Sequence, residues 1–262
     1  MAEALIDRNF LEKLERLAIR WRKSFPGLVG GHNISRFAGP GQEFLDHRHF
    51  HQGDDLRSVN WRAFMRLEKM FLKMFRIEPR VPLRMLIDRS LSMSAYGGVK
   101  FDYARRLAAA FAYIGLVRLD TIHLQTFSAT LGDPFACTGG RHRIGPVGDF
   151  LANQQPDGAS DFLKISRQFT DRYAQRGLVI IISDFLADGD CLRPLEYFAE
   201  FGHELFLVQI YAPEERTPPW DGQLELKDAE SGATVELDFD AEARDRYQAA
   251  FDEYSLDLQK TA

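Results

Sequence analysis

Cysteine is nearly missing from this chain. Only Cys137 and Cys191 are present, far apart in the sequence. That excludes a disulfide framework and a Cys-based zinc site, and it suits a reducing compartment. Long apolar runs are missing too: "LVIII" and "AAAFAYIGLV" are core-sized, well short of a membrane span. The opening stretch, "MAEALIDRNFLEKLERLAIRW", is too charged for a signal peptide. No charge of one sign dominates, and a net charge of −5 argues against whole-protein attraction to nucleic acid or acidic lipid. There is no internal repeat, low-complexity linker, Gly-rich phosphate loop, Ser nucleophile elbow or HExxH signature. The expectation that remains is a soluble cytoplasmic protein. Its 262 residues are enough for one large domain with a smaller attachment.

What is present is alternation of strand and helix patterns. Phe10, Leu14, Leu17 and Trp21 recur at helical spacing and predict an amphipathic helix over 4–24. Residues 27–66 are polar, Gly- and His-rich and carry no clear period, while 69–78 reads as a strand. From there "LRMLID", "TIHLQTF", "LVIIISD" and "ELFLVQIY" read as strands. Helical patterns over 99–118, 161–174 and 191–201 lie between them. Continuous apolar strands separated by helices imply a parallel sheet covered on both faces, and right-handed crossovers make it a doubly wound α/β domain over 81–212. Residues 1–80 form an N-terminal helix and block. Residues 213–262 form a hairpin around Ser231-Gly232 and a closing helix over 240–258.

The chemistry gathers at strand ends. "LRMLIDRSLSM" takes an apolar strand to Asp88 and then sets Ser90 and Ser92 at alternate positions. In open parallel sheets, ligand sites lie at the carboxyl ends of strands. One carboxylate and two hydroxyls aimed at one point are hard oxygen donors, suited to Mg2+ or Mn2+ and poorly suited to zinc or copper. Two further loops carry matching chemistry: "PDGASDFL" puts Ser160 before a helix, and "IIISDF" puts Asp184 after the most apolar strand. Taken singly, each serine is a helix cap and each acid a solvated loop residue. As a set at strand ends, they favour a metal.

Asp88-Arg89-Ser90-Leu91-Ser92 resembles the Asp-x-Ser-x-Ser motif of von Willebrand factor A domains, the core of their metal-ion-dependent adhesion site. That resemblance implies a Thr from a second loop and an Asp from a third. Ser160 and Asp184 match those positions, with Ser160 keeping the oxygen and losing the methyl. A wider likeness covers most of residues 30–235. Glu43-Phe44, Arg48, Gly53-Asp54-Asp55, Arg57, Trp61, Arg66 and Glu78, then "FGHELFLVQIYAPEE" and "LKDAESG", resemble domain-of-unknown-function family 58, DUF58. The resemblance implies a von Willebrand A-like fold and no known catalytic activity. It also implies work beside a MoxR-type AAA+ ATPase in chaperone-like assembly or maturation. The expectation is a Mg2+ site (Mn2+ and Ca2+ being the substitutes) at Asp88, Ser90, Ser92, Ser160 and Asp184. It would bind a client protein's acidic residue.

Other residues weigh in less. His47, His49 and His51 alternate and on a strand would share one face, a candidate zinc set; Asp46 and Asp54 offer them ordinary hydrogen-bond partners. Arg48, Asp54, Asp55, Arg57 and Trp61 read first as turn chemistry and packing, with an ATPase docking surface as the functional alternative. The basic, aromatic-laced stretch 57–84 suggests single-stranded nucleic acid, or more simply a solvated face with its aromatics turned inward. Lys100 and Asp102 read as ordinary helix formers. A metal-assisted hydrolase or phosphotransferase using Asp88 is the enzymatic rival, but aspartyl-phosphate chemistry usually needs a second acid two residues on, and Ser90 stands there.

Overall fold

The computed structural model describes residues 12–13, 38–39, 43–52, 54–76, 82–187 and 189–261. These fall into two compact units, one within residues 22–80 and one that takes residues 12–13 with 81–262. The helix expected over 4–24 lies outside the described residues except at Glu12 and Lys13, which are helical. Gly53 and Glu78 of the family-like block also lie outside them.

In the first unit, β1 (Ala38–Gly39), β2 (Glu43–His49) and β3 (Phe71–Arg76) form an antiparallel sheet ordered β1-β3-β2. A register shift between Phe44 and Asp46 bulges β2. Between β2 and β3 runs α1 (Trp61–Leu67), started by the Asn60 side chain, whose oxygen accepts from the Ala63 amide at 3.3 Å. The Arg48 guanidinium grips both Asp54 oxygens, at 2.8 and 2.7 Å, and Asp54 also accepts from the His51 amide. This is the bidentate turn lock that the residue types suggest. The inward-facing aromatics do not follow: Trp61 is 54% exposed, and Phe64 is exposed as well. Helix α1 buries no residue, so its aromatics meet each other edge to face instead.

The second unit is mixed α/β. Its central sheet has five strands in the order β6-β5-β4-β7-β8. The parallel members are β4 (Leu83–Asp88), β5 (Ile122–Phe127), β7 (Leu178–Ser183) and β8 (Glu204–Gln209). The short β6 (Phe135–Cys137) pairs antiparallel with β5 at one edge. The crossovers are α2 (Val99–Val117), α4 (Phe162–Arg172) and α5 (Leu192–Glu200); α3 (Ile144–Ala152) follows β6. Then come the short α6 (Pro213–Arg216), the hairpin β9 (Gly222–Lys227) and β10 (Thr234–Phe239), and α7 (Ala241–Thr261).

Side chains alternate across the sheet, so each strand feeds two cores. Met85, Ile87, Ile180 and Ile182 join the alanines of α2 on one face. Leu86, Val179 and Ile181 join Phe169 of α4, Phe198 of α5 and Leu258 of α7 on the other. Small residues let α2 lie close: a Cβ added at Gly115 would stand 2.4 Å from Ile122 Cδ1. Burial on both faces explains why β4 and β7 read as unbroken apolar runs.

This order also fixes where a site can form. From β4 the chain moves out to β5 on one side, then returns to β7 on the other. The carboxyl ends of β4 and β7 therefore flank the point where the winding reverses, the usual crevice for a ligand in an open α/β sheet.

Candidate metal centre

Parallel pairing of β4 with β7 runs in register up to Ile87 opposite Ile182. The next residues, Asp88 and Ser183, therefore stand side by side on the same face. Ser183 Oγ donates to Asp88 Oδ2 at 2.6 Å and accepts from the Phe185 amide at 2.8 Å. The other Asp88 oxygen, Oδ1, accepts from the Ser90 amide at 2.8 Å and from Ser160 Oγ at 2.9 Å. Three segments thus meet on one carboxylate that is only 1% exposed. Ser90 Oγ and Ser92 Oγ lie 2.9 Å apart beside it.

The second loop is stitched to the first by its backbone. Leu91 donates its amide to Gly158 O at 2.8 Å, and Asp157 donates to Arg89 O at 2.6 Å. Gly158 has φ +69, a left-handed conformation that a side chain strains. Two residues on, Ser160 immediately precedes Asp161, which caps α4 by accepting from the Lys164 amide.

Asp184 joins the group by charge, but its oxygens have other work. Oδ1 accepts from the Leu186 amide at 3.1 Å, and Oδ2 accepts from Lys100 Nζ at 2.8 Å. Lys100 also reaches Glu215 Oε1 at 2.5 Å, and Glu215 Oε2 accepts from the Ala212 amide. Lys100 and Asp184 are each 2% exposed. The expectation that Lys100 is an ordinary helix former is therefore corrected: it is a buried counter-ion. Its place was visible in principle, because Lys100, Ala104 and Ala108 lie four apart on the buried stripe of α2.

A third acid arrives from the C-terminal hairpin. The Glu230 carboxylate lies against the Ser92 and Ser90 hydroxyls and the Ser160 main chain, within the field of Asp184. Its Oε1 is fully enclosed and has no hydrogen-bond partner. Burial, reinforced by Asp184's charge, holds Glu230 above the ordinary carboxylate range. Asp88 is pushed up to about 6, by burial first and Asp184 second, against the hydrogen bonds from Ser183 and Ser90. Lys100 is raised: burial acts to lower it, but Asp184 and Glu215 together outweigh that.

Asp88, Asp184, Glu215 and Glu230 carry four negative charges against one on Lys100, a formal sum of −3. Dehydrated acids in such excess accommodate a divalent cation, and the serine hydroxyls supply further hard oxygens. No three His, Cys, Asp or Glu side chains among the described residues are placed to hold a metal. Hydroxyls would thus have to supply much of the shell. The same holds of His47, His49 and His51: His47 Nε2 lies 2.7 Å from Asn60 Nδ2, and the His49 ring leans on Phe71. Asp55 accepts from the Arg57 amide at 2.9 Å, which is turn chemistry.

Ser183, Glu215 and Glu230 escape sequence reasoning, since register and tertiary folding bring them in. A family model described as a protein of unknown function, DUF58, matches residues 46–255. The chain belongs to the DUF58 family. An uncharacterized protein of Mycobacterium tuberculosis is 27% identical over 263 residues, covering 97% of this chain and 82% of that protein. An uncharacterized Mycobacterium avium protein is 36% identical over 87 residues, 33% of this chain and 51% of its own length. Among solved structures, this DUF58 chain is similar to BatB, a conserved hypothetical protein of Bacteroides thetaiotaomicron. TM-score is 0.40 and identity 16%, covering 69% of this chain and 98% of that one. An aerotolerance-related membrane protein of Bacteroides fragilis gives 0.40 and 14%, covering 69% and 99%. No helix among the described residues is long and apolar enough to cross a membrane.

Proposed function

We propose that this DUF58 chain is a non-enzymatic, divalent-cation-dependent protein-binding module of von Willebrand A type. It works in the cytoplasm with a MoxR-type AAA+ ATPase and a client that offers an acidic side chain. The observation that carries the reading is the convergence on Asp88: donors from the Ser90, Ser160 and Ser183 segments reach one buried carboxylate at the winding-reversal point. Ser90, Ser92 and Ser160 would hold Mg2+, while Asp88, its oxygens already accepting three hydrogen bonds, and Asp184, tied to Lys100, would act through water. The ion supplies a Lewis-acid anchor for an outside carboxylate. The chain's own residues fix the hydroxyls, exclude bulk water and, through Lys100, offset one of the negative charges.

An Asp88 nucleophile fits less well. Both oxygens are engaged, the side chain is almost wholly buried, and no acid stands two residues on. The test is binding to the purified ATPase and its client, with Mg2+ and with chelator, for wild type and Asp88→Ala. Loss of binding in both the chelator and the variant, with the fold retained by circular dichroism, is expected. Unchanged binding by Asp88→Ala refutes the reading.

A further inference from the structure

Glu230 is out of character for its place. It sits in the turn between β9 and β10, and every other residue from 225 to 236 is exposed. The one residue turned inward is an acid, aimed at the Ser90 and Ser92 hydroxyls and the Ser160 main chain within the field of Asp184. Its buried Oε1 has no donor. A carboxylate does not enter a negative, dehydrated pocket without a compensating cation or a proton.

The turn is built to hold it there. Asp228 Oδ1 accepts from the amides of Glu230 at 3.1 Å and Ser231 at 2.5 Å, and from Ser231 Oγ at 2.5 Å. Asp228 N donates to Ala233 O at 2.8 Å, closing the loop, and Gly232 takes φ +71. These bonds are internal to the turn, so Glu230 is presented by a preformed tip. The strands behind the tip are weakly held: Leu226 is 41% and Val235 59% exposed. Such a hairpin opens at low cost compared with the sheet.

We infer that Glu230 is the site's own acidic ligand, standing where a partner's Asp or Glu binds, so that a partner must displace the hairpin tip. This rests on the metal-dependent reading above. It makes the chain self-capped: the cation is satisfied in cis at rest and is passed to an outside carboxylate only when β9 and β10 lift.

Mn2+ is the probe, titrated into the full chain, with affinity read by calorimetry and bound water by water-proton relaxation. Wild type should bind Mn2+ and Asp88→Ala should not. Glu230→Ala should bind about tenfold more weakly, having lost an anionic ligand, and should carry one more exchangeable water. Acetate should displace that water in Glu230→Ala but not in wild type. Glu230→Gln gives the same comparison if the alanine variant folds poorly. Equal affinity and water count in wild type and both Glu230 variants, with Asp88→Ala still inactive, overturns the inference and leaves the metal reading standing. No Mn2+ binding by wild type overturns both.

Discussion

Lys100→Met is the most informative single substitution. The Lys100 ammonium is 2% exposed, 2.8 Å from Asp184 Oδ2 and 2.5 Å from Glu215 Oε1. Methionine keeps most of the volume and removes the charge. Two carboxylates then face a pocket already holding Asp88 and Glu230, and Asp184, 2% exposed, has no counter-ion. Breaking a buried pair by removing one partner costs about 3–5 kcal/mol. For a unit of this size, that lowers the melting temperature by roughly 6–20 °C. The deficit should shrink as pH falls from 7 to 5, because Asp88, pushed up to about 6, takes up its proton and lessens the negative charge that the stranded acids face. Wild-type Lys100 behaves differently. Its folded pKa is raised, so its contribution is fully present below the unfolded lysine value and is lost only as alkaline pH passes the folded one. Saturating Mg2+ should restore more stability to the variant than it adds to wild type, since a divalent cation meets a more negative pocket. Chemical denaturation at pH 7 and pH 5, with Mg2+ and with chelator, reads all three effects. A loss under about 1 kcal/mol that ignores pH and metal would mean the ion pair is not compensating the site.

Three further outcomes follow from the same geometry. In chelator, stability should fall as pH rises from about 4 to 6: the unfolded Asp88 ionises near 3.8 while the folded one keeps its proton to about 6. That is on the order of 3 kcal/mol, and Mg2+ should flatten the profile; a flat apo profile refutes it. Ser183→Ala removes a 2.6 Å bond to Asp88 and strands the Phe185 amide, so urea denaturation should show a loss of about 2–4 kcal/mol; a change below ~0.5 kcal/mol contradicts it. Gly158→Ala places a side chain at φ +69 and should cost about 1–2 kcal/mol, with weaker Mg2+ binding as the Ser160 loop shifts. Unchanged affinity by calorimetry would detach that loop from the site.

How much of this was readable from the residues depends on the range of the forces involved. The strands β4 and β7 announce themselves because burial on both faces demands unbroken apolar runs, and an acid at the end of such a run has nowhere to go but the crevice. Short elements did not announce themselves. β6 is three residues long, and α3 carries Gly145, Pro146 and Gly148, which read as breakers although Pro146 lies in the first turn, where proline is tolerated. β2 is a bulged strand of mixed polarity, so no period marks it.

The site divides in the same way. Asp88, Ser90 and Ser92 are neighbours in sequence, so their spacing alone fixes their meeting; Ser160 follows from a loop that the backbone stitches to theirs. Ser183 needs the β4–β7 register, a fact about pairing and not about composition. Lys100 reads as a helix former because a lone lysine on an apolar stripe looks like helix propensity until a buried acid is known to face it. Glu230 lies 46 residues beyond Asp184 in the sequence, on a hairpin whose own pattern is that of an exposed ribbon. What distinguishes it is that burial runs backwards in its turn, the charged residue going in while its neighbours stay out. An inversion of that kind persists only if the interior supplies something the solvent does not. In a pocket with a formal sum of −3, the partner we propose is a cation. The local rules that made the sheet legible therefore fail at the position where the chemistry of the site begins.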